Sequence, residues 1–194
     1  MRLKRIRLLA WLLAAIALFG LAAAALFMRH QPTDSESHLG GSFTLVSGDG
    51  RPFSSESLLG KPYAIYFGFT RCGDVCPTTL SRLVRLRRAA ASDGAMSIVF
   101  VTIDPANDGP RQVGQYAQLF GAPIIGLTGT RVQIDKVKKQ YGIYAEPLPN
   151  APMGQQMMHT ATVLLFDRTG SFSAIISPDE PDSSALEKIR RLTV

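Results

Sequence analysis

Residues 63–80 read YAIYFGFTRCGDVCPTTL. The first seven, Tyr63–Phe69, are uncharged and rich in aromatic side chains, which suits a strand buried on both faces. Pro77 has its φ preset for a first helical turn. It is expected to open a helix that runs to about Ala91, with Leu80, Leu83, Val84 and Ala91 along one face. Between strand and helix stand Cys72 and Cys76, the only two cysteines of the 194 residues. The stretch is therefore the opening of a strand-to-helix unit with a cysteine pair at its turn.

Outward from that unit the pattern repeats. Upstream, Phe43–Val46 reads as a short strand, Gly48-Asp49-Gly50 as a turn and Ser55–Leu59 as a helical turn. Downstream, MSIVFVTI (Met96–Ile103) is a second buried strand, Arg111–Leu119 a helix and Ile124–Leu127 a short strand. Val132–Tyr141 is a helix stopped by Gly142. Ala161–Phe166 is a third strong strand, joined by the hairpin turn Asp167-Arg168-Thr169-Gly170 to Ser171–Ile176. Ser183–Leu192 closes the chain as a helix capped by Asp182 or Ser183. Strands alternating with helices, then a hairpin and a last helix, give an α/β domain with a central mixed sheet covered on both faces. Cysteines at the first strand-to-helix turn of such a sheet are the thioredoxin arrangement.

The N-terminus is of another kind. Leu8–Met28 is 21 residues without a charge, and a helix of that length spans about 30 Å of hydrocarbon. Arg2, Lys4, Arg5 and Arg7 precede it, and basic residues stay on the cytoplasmic side. Residues 1–7 are then a cytoplasmic basic segment and 8–28 a single-pass transmembrane anchor in the inner membrane. Residues 29–41, polar with Pro32 and a Gly-Gly pair, form a linker. Residues 42–194 form a thioredoxin-like domain on the periplasmic or equivalent outer side. A cleaved signal peptide is the competing reading, but its apolar region usually spans only about 7–15 residues. Either way the domain enters an oxidising compartment.

The net charge of +6 comes largely from that basic N-terminus: the four residues named belong to a total of 21 basic against 15 acidic. The body is nearly neutral, which argues against a nucleic-acid partner. Arg82, Arg85, Arg87 and Arg88 are expected on a solvated helix face.

Cysteines at a helix N-terminus meet unpaired backbone N–H groups that favour thiolate, the nucleophilic and metal-binding form. Cys-x3-Cys spacing widens the loop and suits two sulfurs on one ion, without forbidding a disulfide. A structural disulfide here would close only a tiny loop and contribute little. Of the three histidines, His30 and His38 fall in the membrane-proximal linker. His159 precedes the strand Ala161–Phe166, whose entry lies against the cysteine turn in a thioredoxin-like sheet. Two thiolates and one imidazole suit Cu(I), Cu(II) or Zn(II), with sulfur favouring Cu(I). The residues by themselves leave dithiol redox chemistry and metal binding both open. Met153, Met157 and Met158 are read as loop packing, or as transient Cu(I) contacts.

YFGFTRCGDVCPTTL, VTIDP at Val101–Pro105, His159-Thr160 before a strand and the turn Asp167–Gly170 together resemble the SCO/SenC family, over most of residues 42–192. The resemblance implies a thioredoxin-like (peroxiredoxin-like) fold, with copper held by Cys72, Cys76 and His159. It implies a metallochaperone, more than an enzyme, that matures the copper centre of cytochrome c oxidase. The alternative is a membrane-anchored thiol–disulfide oxidoreductase, with Cys72 and Cys76 catalytic toward a partner's cysteines. A peroxidase-like or redox-sensing role ranks third, and zinc storage fourth. The sequence departs from the family pattern at Arg71, where His is usual, at Gly73, where Pro is usual, and at Met158, where Asp often stands. Asp104 is a candidate support for the site, or equally a turn cap before Pro105.

Overall fold

The structure is a computed structural model that describes residues 39–90, 96–148, 150 and 157–193, together with 11, 16 and 18–21. It divides into two compact units, Met1–Ser37 and His38–Val194. In the first, the described residues Trp11, Ile16 and 18–21 are helical and exposed. Among the described residues no helix is long and apolar enough to cross a membrane. Most of the expected 8–28 span lies outside the described residues.

The second unit runs β1 (Thr44–Ser47), β2 (Pro52–Ser54), a 3-10 turn (Ser55–Leu58), β3 (Tyr63–Gly68), α1 (Val75–Ala89) and β4 (Ser97–Thr102). It continues α2 (Pro110–Gln118), β5 (Ile125–Thr128), α3 (Arg131–Gln140), β6 (Ala145–Pro147), β7 (Met157–His159), β8 (Val163–Phe166), β9 (Phe172–Ile176) and α4 (Asp182–Thr193). Seven strands form one sheet in the order β2-β1-β5-β4-β3-β8-β9, and β6 and β7 form a separate pair. The centre is parallel, β3 with β4 and β4 with β5, and both sides are antiparallel. All six residues of β3 are buried. Successive side chains point to opposite faces, so both faces of the central sheet are covered. This is the mixed α/β sheet flanked by helices that the sequence leads one to expect.

Local chemistry explains the element ends. Thr130 and Gln133 form a reciprocal capping box at the start of α3, and Gly142, at φ +63°, takes the left-handed turn that ends it. Pro110 stands at the start of α2, where its missing N–H has no partner to lose.

Three expectations are corrected. The cysteine helix begins at Val75, not Pro77, so Cys76 lies inside its first turn. Asp182 is the first residue of α4 rather than its cap. Its carboxylate pairs with Arg82 at 2.7 Å and Arg85 at 2.8 Å. The arginine run is not one solvated face. Arg87 is buried, and Arg82 donates to the carbonyls of Ser177, Pro178 and Glu180 as well as to Asp182. Three strands, β2, β6 and β7, were not legible, and His159 ends one of them.

Candidate metal centre

The site is built at the C-terminal end of β3. Past Gly68 the chain leaves the sheet and must be held in a turn before α1. Asp108, fully buried, does much of this. Its carboxylate accepts the Thr70 N–H at 2.9 Å, the Thr70 hydroxyl at 2.5 Å and the Thr102 hydroxyl at 2.7 Å. A buried carboxylate is tolerable only when hydrogen bonds replace its lost hydration, and here three do. Next along the turn, Arg71 is tied to Asp104 at 2.8 Å, whose carboxylate also accepts both bonds from the Asn107 amide at 3.0 Å. Asp104 thus acts on the site through the loop, by fixing the neighbour of Cys72.

Within the turn the Cys72 N–H donates to the Phe69 carbonyl at 3.2 Å. The Cys76 N–H, at the exposed end of the helix ladder, donates to Cys72 Sγ at 3.4 Å. Cys76 is fully buried and Cys72 half-buried. Gly68 lets the sulfur in: a Cβ there would lie 2.8 Å from Cys76 Sγ.

His159 comes from the far part of the chain. It ends β7, opposite Ala145 of β6, and its strand is fixed by the Thr160 N–H donating to the Tyr144 carbonyl at 3.0 Å. Imidazole Nδ1 lies 3.0 Å from the Thr160 carbonyl. A carbonyl only accepts, so Nδ1 is the donor there and Nε2 is the nitrogen turned toward the sulfurs. Nε2 lies 3.7 Å from Cys76 Sγ. Tyr66 and Phe69 stand edge-on to the ring, with centroids at 6.3 and 6.0 Å.

The three donor atoms, one each from Cys72, Cys76 and His159, lie within 4.8 Å of one another. One ion with bonds of about 2.0–2.3 Å places its donors roughly 3.5–4 Å apart, so the set fits a single ion after small adjustments. Both cysteines are free thiols. They are unequal. The Cys76 thiol donating to it, with His159 adding, holds Cys72 down to about 4 against the opposing effect of burial. The thiolate of Cys72 and burial push Cys76 up. The pair is one thiolate and one thiol sharing a proton, competent for a disulfide or a soft metal ion.

The structure brings together all three residues singled out in the sequence. Of the methionines, Met157 is half-buried against the core and Met158 is exposed; Met153, His30 and His38 lie outside the described residues. Gly68, Tyr66 and Asp108 were missed. For Asp108 a signal existed: an acidic residue just after a buried strand, too far from the cysteines in sequence for its target to be named.

Comparison with known proteins places this geometry in company. A family model described as SCO1/SenC matches residues 31–194. The mitochondrial protein SCO2 of Saccharomyces cerevisiae is 36% identical over 156 residues, covering 78% of this chain and 52% of that protein. The chain therefore spans about half the length of that curated relative. Among solved structures, copper-bound ScoI of Bradyrhizobium japonicum superposes with a TM-score of 0.71 at 34% identity, covering 79% of this chain and 99% of the other. Copper-bound yeast Sco1 gives 0.70 at 33%, covering 79% and 87%.

Proposed function

The chain belongs to the SCO1/SenC family, and from that premise we propose that it is a copper metallochaperone that matures the copper centre of cytochrome c oxidase. One observation carries this reading: two sulfurs and an imidazole nitrogen converge within 4.8 Å. Copper is the cargo. Cys72, Cys76 and His159 hold it, a donor set whose softness favours Cu(I) while the imidazole also accommodates Cu(II). Loading requires the reduced pair, because a disulfide has no thiolate to offer. Cys72, less deeply buried than Cys76, is the ligand an incoming partner reaches first, to take the ion by stepwise exchange. The receiving partner is the oxidase subunit that carries the copper centre. Residues 8–28 anchor the domain to the membrane, 29–41 tether it and residues 1–7 remain on the cytoplasmic side. The length of the uncharged run and the flanking basic residues support that arrangement.

A second reading has its own observation, the unequal cysteines. The Cys72 thiolate attacks a disulfide of the partner, forming a mixed disulfide and releasing one partner thiolate. Cys76 then gives up its proton and displaces the second partner sulfur. The products are a Cys72–Cys76 disulfide and a partner reduced by two electrons.

Metal reconstitution of the purified full chain with Cu(I) and Cu(II) tests the first reading. It expects one copper per chain, with a sulfur-to-copper charge-transfer band in the Cu(II) form. His159→Ala is expected to weaken retention, and Cys72→Ser to abolish the band. Wild-type protein that takes up no copper but reduces a partner disulfide, with or without His159, would sink the chaperone reading and leave the second.

A further inference from the structure

Tyr66 lies in β3 beneath the cysteine turn. It is fully buried, and among the described residues its hydroxyl makes no hydrogen bond of good geometry, with Thr79 and the Cys76 sulfur the side chains that act on it. An unpaired phenol O–H in the interior costs free energy that phenylalanine, of nearly the same shape, avoids. Its surroundings suggest what the hydroxyl waits for. The ring stands edge-on to His159, with centroids 6.3 Å apart. The position of a Cβ on Gly68 is 2.8 Å from Cys76 Sγ and 3.1 Å from Tyr66 Cε1, the ring atom next to the carbon bearing the hydroxyl. The sulfur and that edge of the ring therefore converge on one small space, which the absence of a side chain at residue 68 leaves open. Burial pushes the Tyr66 phenol up, with the Cys76 sulfur the next cause, and the phenol in turn acts to lower Cys76.

A thiol sulfur is a weak acceptor. A sulfur that binds a metal is a thiolate and accepts strongly. We propose that Tyr66 is a positioning residue whose hydroxyl donates a hydrogen bond to the Cys76 sulfur once copper is bound. The proposal rests on Cys76 being a copper ligand. Such a bond withdraws electron density from the sulfur and favours the lower oxidation state of the ion, as hydrogen bonds to ligand sulfur do in general.

The test compares wild-type full chain with Y66F and, as a control, Y116F, which removes another buried phenol hydroxyl that has no hydrogen-bond partner among the described residues. Y66F is expected to take up copper in the wild-type ratio and to unfold at the same temperature or higher. Its charge-transfer band is expected at longer wavelength and its Cu(II)/Cu(I) potential lower, whereas Y116F matches wild type. Fluorotyrosine at position 66, a stronger donor in an unaltered shape, is expected to move the band to shorter wavelength. A Y66F protein whose band and potential equal those of copper-loaded wild type overturns this proposal alone. A wild type that takes up no copper overturns the copper reading and this one with it.

Discussion

Cys72 and Cys76 share one turn but not one chemistry, and the difference is measurable. In the reduced, metal-free protein Cys72 is held down to about 4, so it is thiolate throughout the neutral range. Its alkylation rate is expected to stay flat between about pH 6 and 8, where an unperturbed cysteine gains roughly tenfold per unit. Buried Cys76 is expected to react far more slowly, as mapped by mass spectrometry of the labelled peptides. A Cys72 rate that climbs through that window would show that Cys76 does not donate to it. Both cysteines were legible because a helix N-terminus is a local feature of sequence. His159 was legible only with a fold in mind, since its distance from Cys76 depends on where β7 is hung. Tyr66 was not legible, and Asp108 showed only as an acid following a buried strand, with no target to name. Nothing near them in sequence says that a carboxylate will turn inward to Thr70, or that a phenol will lie under a sulfur.

At the scale of elements, apolar runs of four residues or more were read correctly and the three-residue strands were not. β3 and β4 are buried along almost their whole length, so composition alone identifies them. β2, β6 and β7 have three residues each, and two of them contain proline. They exist because a partner strand is at hand, which no local pattern records. The arginine run of α1 failed for a similar reason, since the acid it meets is about a hundred residues away. Arg82 ties α1 to the start of α4 and to the turn before it. Arg82→Ala is expected to destabilise the domain by about 1–3 kcal/mol in urea unfolding. Arg85→Ala, at an exposed pair, is expected to change it by less than about 1 kcal/mol. Arg85 and Arg82 hold the Asp182 carboxyl below the ordinary range. A lowered folded value means that this contribution stands in full above about pH 4 and fades as pH falls through it. Equal destabilisation by the two substitutions would refute the assignment of Arg82 as the tie.

For the whole molecule, the sheet order places the three donor residues. β3 lies between its parallel partner β4 and antiparallel β8, so the cysteine turn at its end faces the chain segment that enters β8, and His159 belongs to that segment. Under the proposed reading copper bridges the cysteine turn and α1 with β7, parts of the fold distant in sequence, and a ligand bound only by the folded chain stabilises it. At free Cu(I) about 1,000-fold above its Kd, the expected gain is about 4 kcal/mol. His159→Ala is expected to lose about 1.4 kcal/mol of that gain for each tenfold fall in affinity, read as a smaller copper-induced rise in Tm. An equal rise in both proteins would mean that the imidazole does not bind the ion. The same separation sets an order in time. A ribosome releases residues 72 and 76 long before residue 159, and β4 and β5 are made in between. A nascent chain that meets copper early can grip it with sulfur alone. The nitrogen joins only after β7 has been made, so a centre with all three donors records that the cysteine turn and β7 have been brought together by folding.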